Sequence, residues 1–131
     1  MLEVRGLDAF YGQYQALYGV GFSLDEGHIR TLLGANGAGK TTVLRALCGM
    51  VHTAGDISFE GRQITGWATE DIVRLGIAHV PEGRVTFLQV TVEENLQLGA
   101  MTRRNGADIK QDIERVYDHF PRLRQRALQA A

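Results

Sequence analysis

The sequence predicts an α/β fold in which an antiparallel flap precedes a strand–loop–helix unit. Three observations predict it. The first apolar runs are short and separated by turn-forming residues, as in paired strands. A glycine-rich loop, Gly34–Gly39, stands between an apolar run and an amphipathic helical pattern. Beyond it, short strand-like segments alternate with helical ones.

Each element has a local reason. Leu2–Leu7 reads as a strand, and the polar and aromatic stretch Asp8–Gln15, with Gly12, reads as a loop. Ala16–Leu24 alternates loosely and ends at Asp25-Glu26-Gly27, a turn signature. His28–Leu33 is apolar except for Arg30 and fits a second strand of that hairpin. Lys40–Cys48 reads as a helix, with Val43, Leu44 and Leu47 on one face and Gly49 as its stop. Gly55–Phe59 reads as a strand closed by Glu60-Gly61. Thr69–Leu75 reads as a short helix with Thr69 as N-cap and Gly76 as stop. Ile77–Val80 reads as a short buried strand stopped by Pro81. Thr91 and Glu94 have the spacing of a capping box, opening a helix that runs to about Met101. Asn105–Ala107 reads as a loop. Asp108–Phe120 reads as a second helix with Ile109, Ile113, Val116, Tyr117 and Phe120 on one stripe, ended by Pro121.

Composition narrows the function classes. The chain has 131 residues, 44% hydrophobic and 22% charged, so one domain or part of one is expected, and not a disordered chain. Its net charge of −1 excludes a global basic field for nucleic acid. The basic residues Arg122, Arg124 and Arg126 read as a solvated helix end, because no aromatic residue is interleaved among them. One cysteine, Cys48, excludes an internal disulfide and a multi-cysteine metal site, and reads as a small buried apolar group. The four histidines, His28, His52, His79 and His119, lack metal-ligand spacing. No run approaches the ~20 apolar residues of a membrane span, and no secretory signal is read. A soluble, cytoplasmic protein is the expectation.

Chemistry concentrates in Gly34-Ala35-Asn36-Gly37-Ala38-Gly39-Lys40-Thr41, which fits G-x-x-x-x-G-K-[ST] without a mismatch. Phosphate oxygens need many donors in a small space. Backbone N–H groups of Gly37, Ala38, Gly39 and Lys40 can converge on a β-phosphate when the side chains stay small. The helix that starts there adds its N-terminal dipole. Lys40 supplies an ammonium to the β- and γ-phosphates, Thr41 a hydroxyl to Mg²⁺, and Thr42 a further hydroxyl.

The longer string Leu33–Thr42, followed by Leu44-Arg45, resembles the Walker A segment of ABC-type ATPases, with Asn36 and the paired threonines typical of that family. Further segments are most similar to the ATP-binding subunits of bacterial branched-chain amino acid importers. They are Tyr11-Gly12, Gln15-Ala16-Leu17, Ile72 through Arg84, Thr91 through Leu96, and Phe120-Pro121-Arg122-Leu123. The resemblance covers nearly the whole chain. It implies a P-loop NTPase core of the ABC ATPase type with an N-terminal antiparallel β subdomain, residues 1–90 being the N-terminal part of the ATP-binding core with the phosphate loop and residues 91–131 the start of a helical subdomain. It implies ATP and Mg²⁺ as ligands. Tyr11 takes the place of the aromatic residue that stacks on adenine, with Tyr14 a nearby competitor. Glu82, in Pro81-Glu82-Gly83-Arg84, takes the place usually held by a glutamine that senses the γ-phosphate and Mg²⁺. A carboxylate there can approach Mg²⁺ directly or through water. The segment Gly83–Leu88 departs from the family pattern by lacking a second arginine and a proline.

An ABC ATPase also uses an apolar strand ending in Asp-Glu, a Leu-Ser-Gly-Gly-Gln-type signature and a later switch histidine. None is present in these residues. Val20–Glu26 imitates the Asp-Glu strand but precedes the phosphate loop and reads as a hairpin turn. The resemblance therefore implies the N-terminal part of such a subunit, incomplete as a fold, with no catalytic residue of its own. It implies a second ATP-binding subunit and membrane permease subunits as partners, no nucleic acid, and a place on the inner face of the cell membrane. The full subunit would power uptake of branched-chain or related amino acids. An ABC ATPase for a different substrate, or a nucleotide-binding module without turnover, are the alternative readings.

Overall fold

The computed structural model describes residues 1–83, 86–103 and 106–131. It divides into two compact units, Met1–His79 and Val80–Ala131.

The first unit is a four-stranded antiparallel sheet with a helix against it. Strands β1 (Leu2–Tyr11) and β2 (Tyr14–Leu24) form a hairpin, and β3 (His52–Phe59) and β4 (Arg62–Gln63) form a second, giving the order β2-β1-β3-β4. Helix α1 (Lys40–Leu47) and the short α2 (Thr69–Arg74) belong to the same unit. The core is built from Val4, Leu7 and Ala9 of β1, Leu17 of β2, Ile57 of β3, Ile64, and Val43, Ala46 and Leu47 of α1.

Core residues along β1 do not keep a period of two, because Val4 and Leu7 are three apart and both buried. A bulge resolves the mismatch: pairing with β2 shifts between Val4 and Leu7, and pairing with β3 shifts between Arg5 and Asp8. Gly6 and Gly55 meet at this point. Gly55 has φ of 93°, and a Cβ there would lie 2.3 Å from the Gly6 carbonyl oxygen and 2.9 Å from that of Arg5. Two backbones approach at a distance that only glycine allows.

Several elements differ from the sequence expectation. Asp8–Gln15 is not a loop: it continues both strands and turns only at Gly12-Gln13. The polar residues that suggested a loop stitch the hairpin instead. Asp8 Oδ1 accepts from Gln15 Nε2 at 3.0 Å and from the Gly19 N–H at 2.8 Å, beside the second register shift. The partner of β2 is therefore β1, not His28–Leu33. Asp25-Glu26-Gly27 does turn, with the His28 N–H donating to Asp25 O at 3.3 Å, but no strand follows. Residues 28–33 are exposed, Ile29 at 98% and Leu33 at 87%, and have no ladder partner among the described residues. Residues 77–80 likewise form no strand; Ile77 packs on the core, whereas Val80 is 90% exposed. An apolar segment becomes a strand only where a neighbour completes its hydrogen bonds. In α1 the buried stripe is Thr42, Val43, Ala46 and Leu47, with Leu44 turned outward. Ala68 replaces Thr69 as N-cap of α2. Cys48 is buried as expected, and burial pushes its thiol pKa up.

The second unit is helical: α3 (Val92–Gly99), α4 (Gly106–His119) and α5 (Pro121–Gln125). The capping box forms as the spacing predicts. The Glu94 N–H donates to Thr91 Oγ1 at 3.2 Å, and the Thr91 N–H donates to Glu94 Oε2 at 2.7 Å. The other first-turn donors of α3 find C-terminal carbonyls, Val92 N–H on Gln129 O and Glu93 N–H on Ala127 O. Asn95 holds the preceding loop by accepting from the Phe87 N–H at 2.9 Å and donating to Phe87 O at 3.1 Å. On α4, Tyr117 is buried and Ile109, Ile113 and Val116 are half-buried, whereas Phe120 is exposed. Helix α4 begins at Gly106, where a loop was expected; Asn105 lies outside the described residues. Pro121 starts α5 as well as ending α4, since its missing N–H is no loss at a first helical position. Arg124 is paired within the chain, to Glu114 at 2.7 Å and Asp118 at 3.3 Å.

Two outcomes follow from this packing. Gly55→Ala should destabilise the chain by about 3 kcal/mol, because strain at positive φ adds to backbone overlap. Gly61→Ala, also at positive φ but with nothing near its added Cβ, should cost only about 1 kcal/mol. Denaturant unfolding of the two variants checks the difference, and equal losses would contradict the close approach at Gly6. The second outcome concerns pH. Hydrogen bonds from the backbone and side chain of Thr91 hold the Glu94 carboxyl below its ordinary value. Its contribution is therefore complete above the unfolded glutamate value and lost as pH falls through the lowered folded one. Glu94→Gln keeps an acceptor in the capping box and removes the titration, so it should flatten the acid side of the helical stability profile read by circular dichroism.

Candidate phosphate-binding site

The chain leaves β2 through the exposed segment 28–33 and enters the loop Gly34–Gly39, which turns with the Ala38 N–H donating to Ala35 O at 3.1 Å. Gly37 and Gly39 have φ of 84° and 90°. At Gly39 the left-handed conformation coincides with a tight fit, since an added Cβ would lie 2.7 Å from Leu17 Cδ2. The loop is thereby seated on the core sheet at the residue where α1 begins.

Gly39 is the N-cap of α1 and offers no side-chain acceptor, and no acidic residue stands in the first turn. The first-turn N–H groups are thus left for an external acceptor. Lys40 leads the helix, and its Nζ donates to Gly34 O and Ala35 O, each at 2.7 Å. The ammonium is folded back over the loop that it heads. Thr41 is exposed and Thr42 is buried. Gly34, Ala35, Asn36, Gly37 and Ala38 are all exposed.

Tyr11 ends β1 and is 41% exposed. Its hydroxyl accepts from Arg45 Nη1 at 3.3 Å. Hydrogen bonding with Thr42, and then the Arg45 guanidinium, hold the phenol pKa below its ordinary value. Tyr14, its partner across the hairpin turn, is 70% exposed. The contact of Arg45 was not anticipated from the sequence, where Arg45 enters only in the string that resembles a Walker A segment; its partner is 34 positions away. The place of Leu17 beneath Gly39 was likewise not anticipated from the sequence.

The first unit thus carries both Tyr11 and the run Gly34 to Thr42, with Tyr11 joined to α1 through Arg45. Glu82 belongs to the second unit and is exposed. The histidines are dispersed: His52 lies beside Phe10, with ring centroids 5.8 Å apart, and His119 Nδ1 lies 2.8 Å from Arg115 O. Among the described residues no three His, Cys, Asp or Glu side chains are grouped to hold a metal ion.

The donor set has the chemistry of an anion site. It combines an ammonium, two hydroxyls, an uncapped helix start and small loop residues, with no carboxylate between residues 34 and 42. These residues fit a polyphosphate. For Mg²⁺ the fit is narrower, since the Thr41 hydroxyl is the hard oxygen ligand that the loop itself offers.

Comparison with known proteins decides the family. A family model described as ABC transporter matches residues 17–130. The chain belongs to the ABC transporter family. It is 42% identical over 132 aligned positions to the high-affinity branched-chain amino acid transport ATP-binding protein BraG of Pseudomonas aeruginosa, covering all of this chain and 56% of that protein. It is 34% identical over 126 positions to a probable branched-chain amino acid transport ATP-binding protein, LivF, of Archaeoglobus fulgidus, covering 95% of this chain and 52% of that one. Among solved structures, the ATP-binding subunit of an ABC transporter superposes with a TM-score of 0.84 at 31% identity, covering 99% of this chain and 54% of that chain. The fold is the ABC ATPase fold, in part: the chain spans about half the length of the curated relatives that it matches. No helix among the described residues is long and apolar enough to cross a membrane.

Proposed function

We propose that this chain is the N-terminal, ATP-binding part of an ABC transporter ATPase subunit that powers uptake of branched-chain or related amino acids. The observation that carries the nucleotide reading is the joint at Gly39. It seats a glycine-rich loop on Leu17 and starts α1 with an uncapped turn headed by Lys40. The amino-acid reading rests on the two relatives, both described as branched-chain amino acid transport ATP-binding proteins.

The roles follow from the chemistry. Backbone N–H groups of Gly37, Ala38, Gly39 and Lys40 take the β-phosphate, within the cradle Gly34–Gly39 that includes Ala35 and Asn36. Lys40 exchanges its two loop carbonyls for β- and γ-phosphate oxygens. Thr42 donates to a further phosphate oxygen, and the Thr41 hydroxyl would hold Mg²⁺, which would neutralise phosphate charge. Tyr11 stacks on adenine, where its flat face gives affinity without base selectivity. Residues 1–90 are the core part of the domain and residues 91–131 the start of the helical part. In the whole protein a second ATP-binding subunit completes each site, and permease subunits hold the pair at the inner face of the membrane. No residue of this chain is assigned to activating the attacking water, so ATP binding without steady turnover is its expected behaviour.

Calorimetric titration with Mg-ATP tests the assignment. A charge-assisted hydrogen bond contributes ~1.5–3 kcal/mol, so Lys40→Ala should weaken binding more than about tenfold. Unchanged affinity in Lys40→Ala would sink the phosphate-loop reading. Steady ATP turnover by the 131 residues, lost in the same variant, would show that catalytic groups have been missed.

A further inference from the structure

Tyr11 and Arg45 come from different elements, the end of β1 and the turn of α1 that follows Thr41 and Thr42. The Arg45 Nη1 to Tyr11 Oη hydrogen bond, at 3.3 Å, joins them. The ring is tied to α1 through its oxygen, while 41% of the residue's surface remains open. Arg45 is exposed and forms no ion pair among the described residues. A phenol next to a hairpin turn is otherwise free to change rotamer. An aromatic platform that must be ordered when the ligand arrives loses affinity to that ordering. An anchor present beforehand removes the loss.

We infer that Arg45 is a positioning residue for the nucleotide base, holding the Tyr11 ring by its hydroxyl at a fixed offset from the phosphate loop. One helix then sets both ends of the ligand. Its first residues, Lys40 to Thr42, face the phosphates, and its next turn, through Arg45, fixes the stacking face. The inference deepens the proposed function and rests on its reading of Tyr11 as the base-stacking residue. It assigns the phenol oxygen a task that the π face does not have. Phenylalanine at position 11 stacks as well as tyrosine and anchors not at all.

The test uses calorimetric titrations of the 131-residue chain with two probes, Mg-ATP and magnesium triphosphate without a nucleoside. Arg45→Ala and Tyr11→Phe should each weaken Mg-ATP about fivefold, the weight of one hydrogen bond, and leave triphosphate within about twofold. The double variant should lose no more than either single one, because both remove the same contact. A role for Arg45 confined to the end of α1 would weaken both probes alike and leave Tyr11→Phe silent; that result overturns the inference, as does additivity in the double variant. Tyr11→Ala separates the two layers of argument. If it weakens Mg-ATP while Tyr11→Phe and Arg45→Ala do not, stacking stands and the anchor fails. If Tyr11→Ala binds as the unaltered chain does, the stacking reading fails and takes the anchor with it. Both side chains are exposed, so folding is expected to survive each change; circular dichroism of every variant verifies it, and Tyr11→Phe alone still decides the matter if Arg45→Ala unfolds.

Discussion

The left-handed joint at Gly39 is the constraint on which the site depends. A helix start is an anion site only if its N–H groups point at open space from a fixed base. Here the base is Leu17, itself buried in the sheet, and a side chain at position 39 would be strained at φ 90° and would press on the Leu17 methyl. Packing of Val43, Ala46 and Leu47 on the same sheet fixes the rotation of α1 about its axis. Rotation and starting point together decide where Lys40, Thr41 and Thr42 stand. The chemistry of the loop is thus set by apolar packing beneath it.

Lys40 shows how such a site rests. A cation on an exposed loop takes the nearest acceptors, here the carbonyls of Gly34 and Ala35. Binding a phosphate would then exchange hydrogen bonds and not simply add them. The net gain is the difference between a charged and a neutral acceptor. The same two carbonyls hold the ammonium near the loop, which limits the side-chain entropy lost on binding.

What was legible in the sequence was what depends on neighbours along the chain. The capping box at Thr91 and Glu94 needs three residues of spacing and nothing else, and it formed as read. The turn before α1 was legible because its octapeptide stands between an apolar run and an amphipathic helix, and the family because Asn36 and the paired threonines extend that string. Strands were expected at residues 28–33 and 77–80 and do not form, since an apolar pattern says nothing of a partner. The hairpin ends were misread for the opposite reason. Asp8 and Gln15 are polar, yet their side chains bond across β1 and β2 and hold the register. Tyr11 was legible as a candidate, but the contact that orients it spans 34 positions and left no trace in local pattern.

Amide hydrogen exchange with and without saturating Mg-ATP tests the central claim most directly, because it reads the backbone donors themselves. The seat at Gly39 and the uncapped start of α1 predict slowed exchange concentrated at residues 37–43, with the rim of the sheet unchanged. Exchange at those amides that stays the same under saturating nucleotide, or protection confined to other segments, would contradict the assignment.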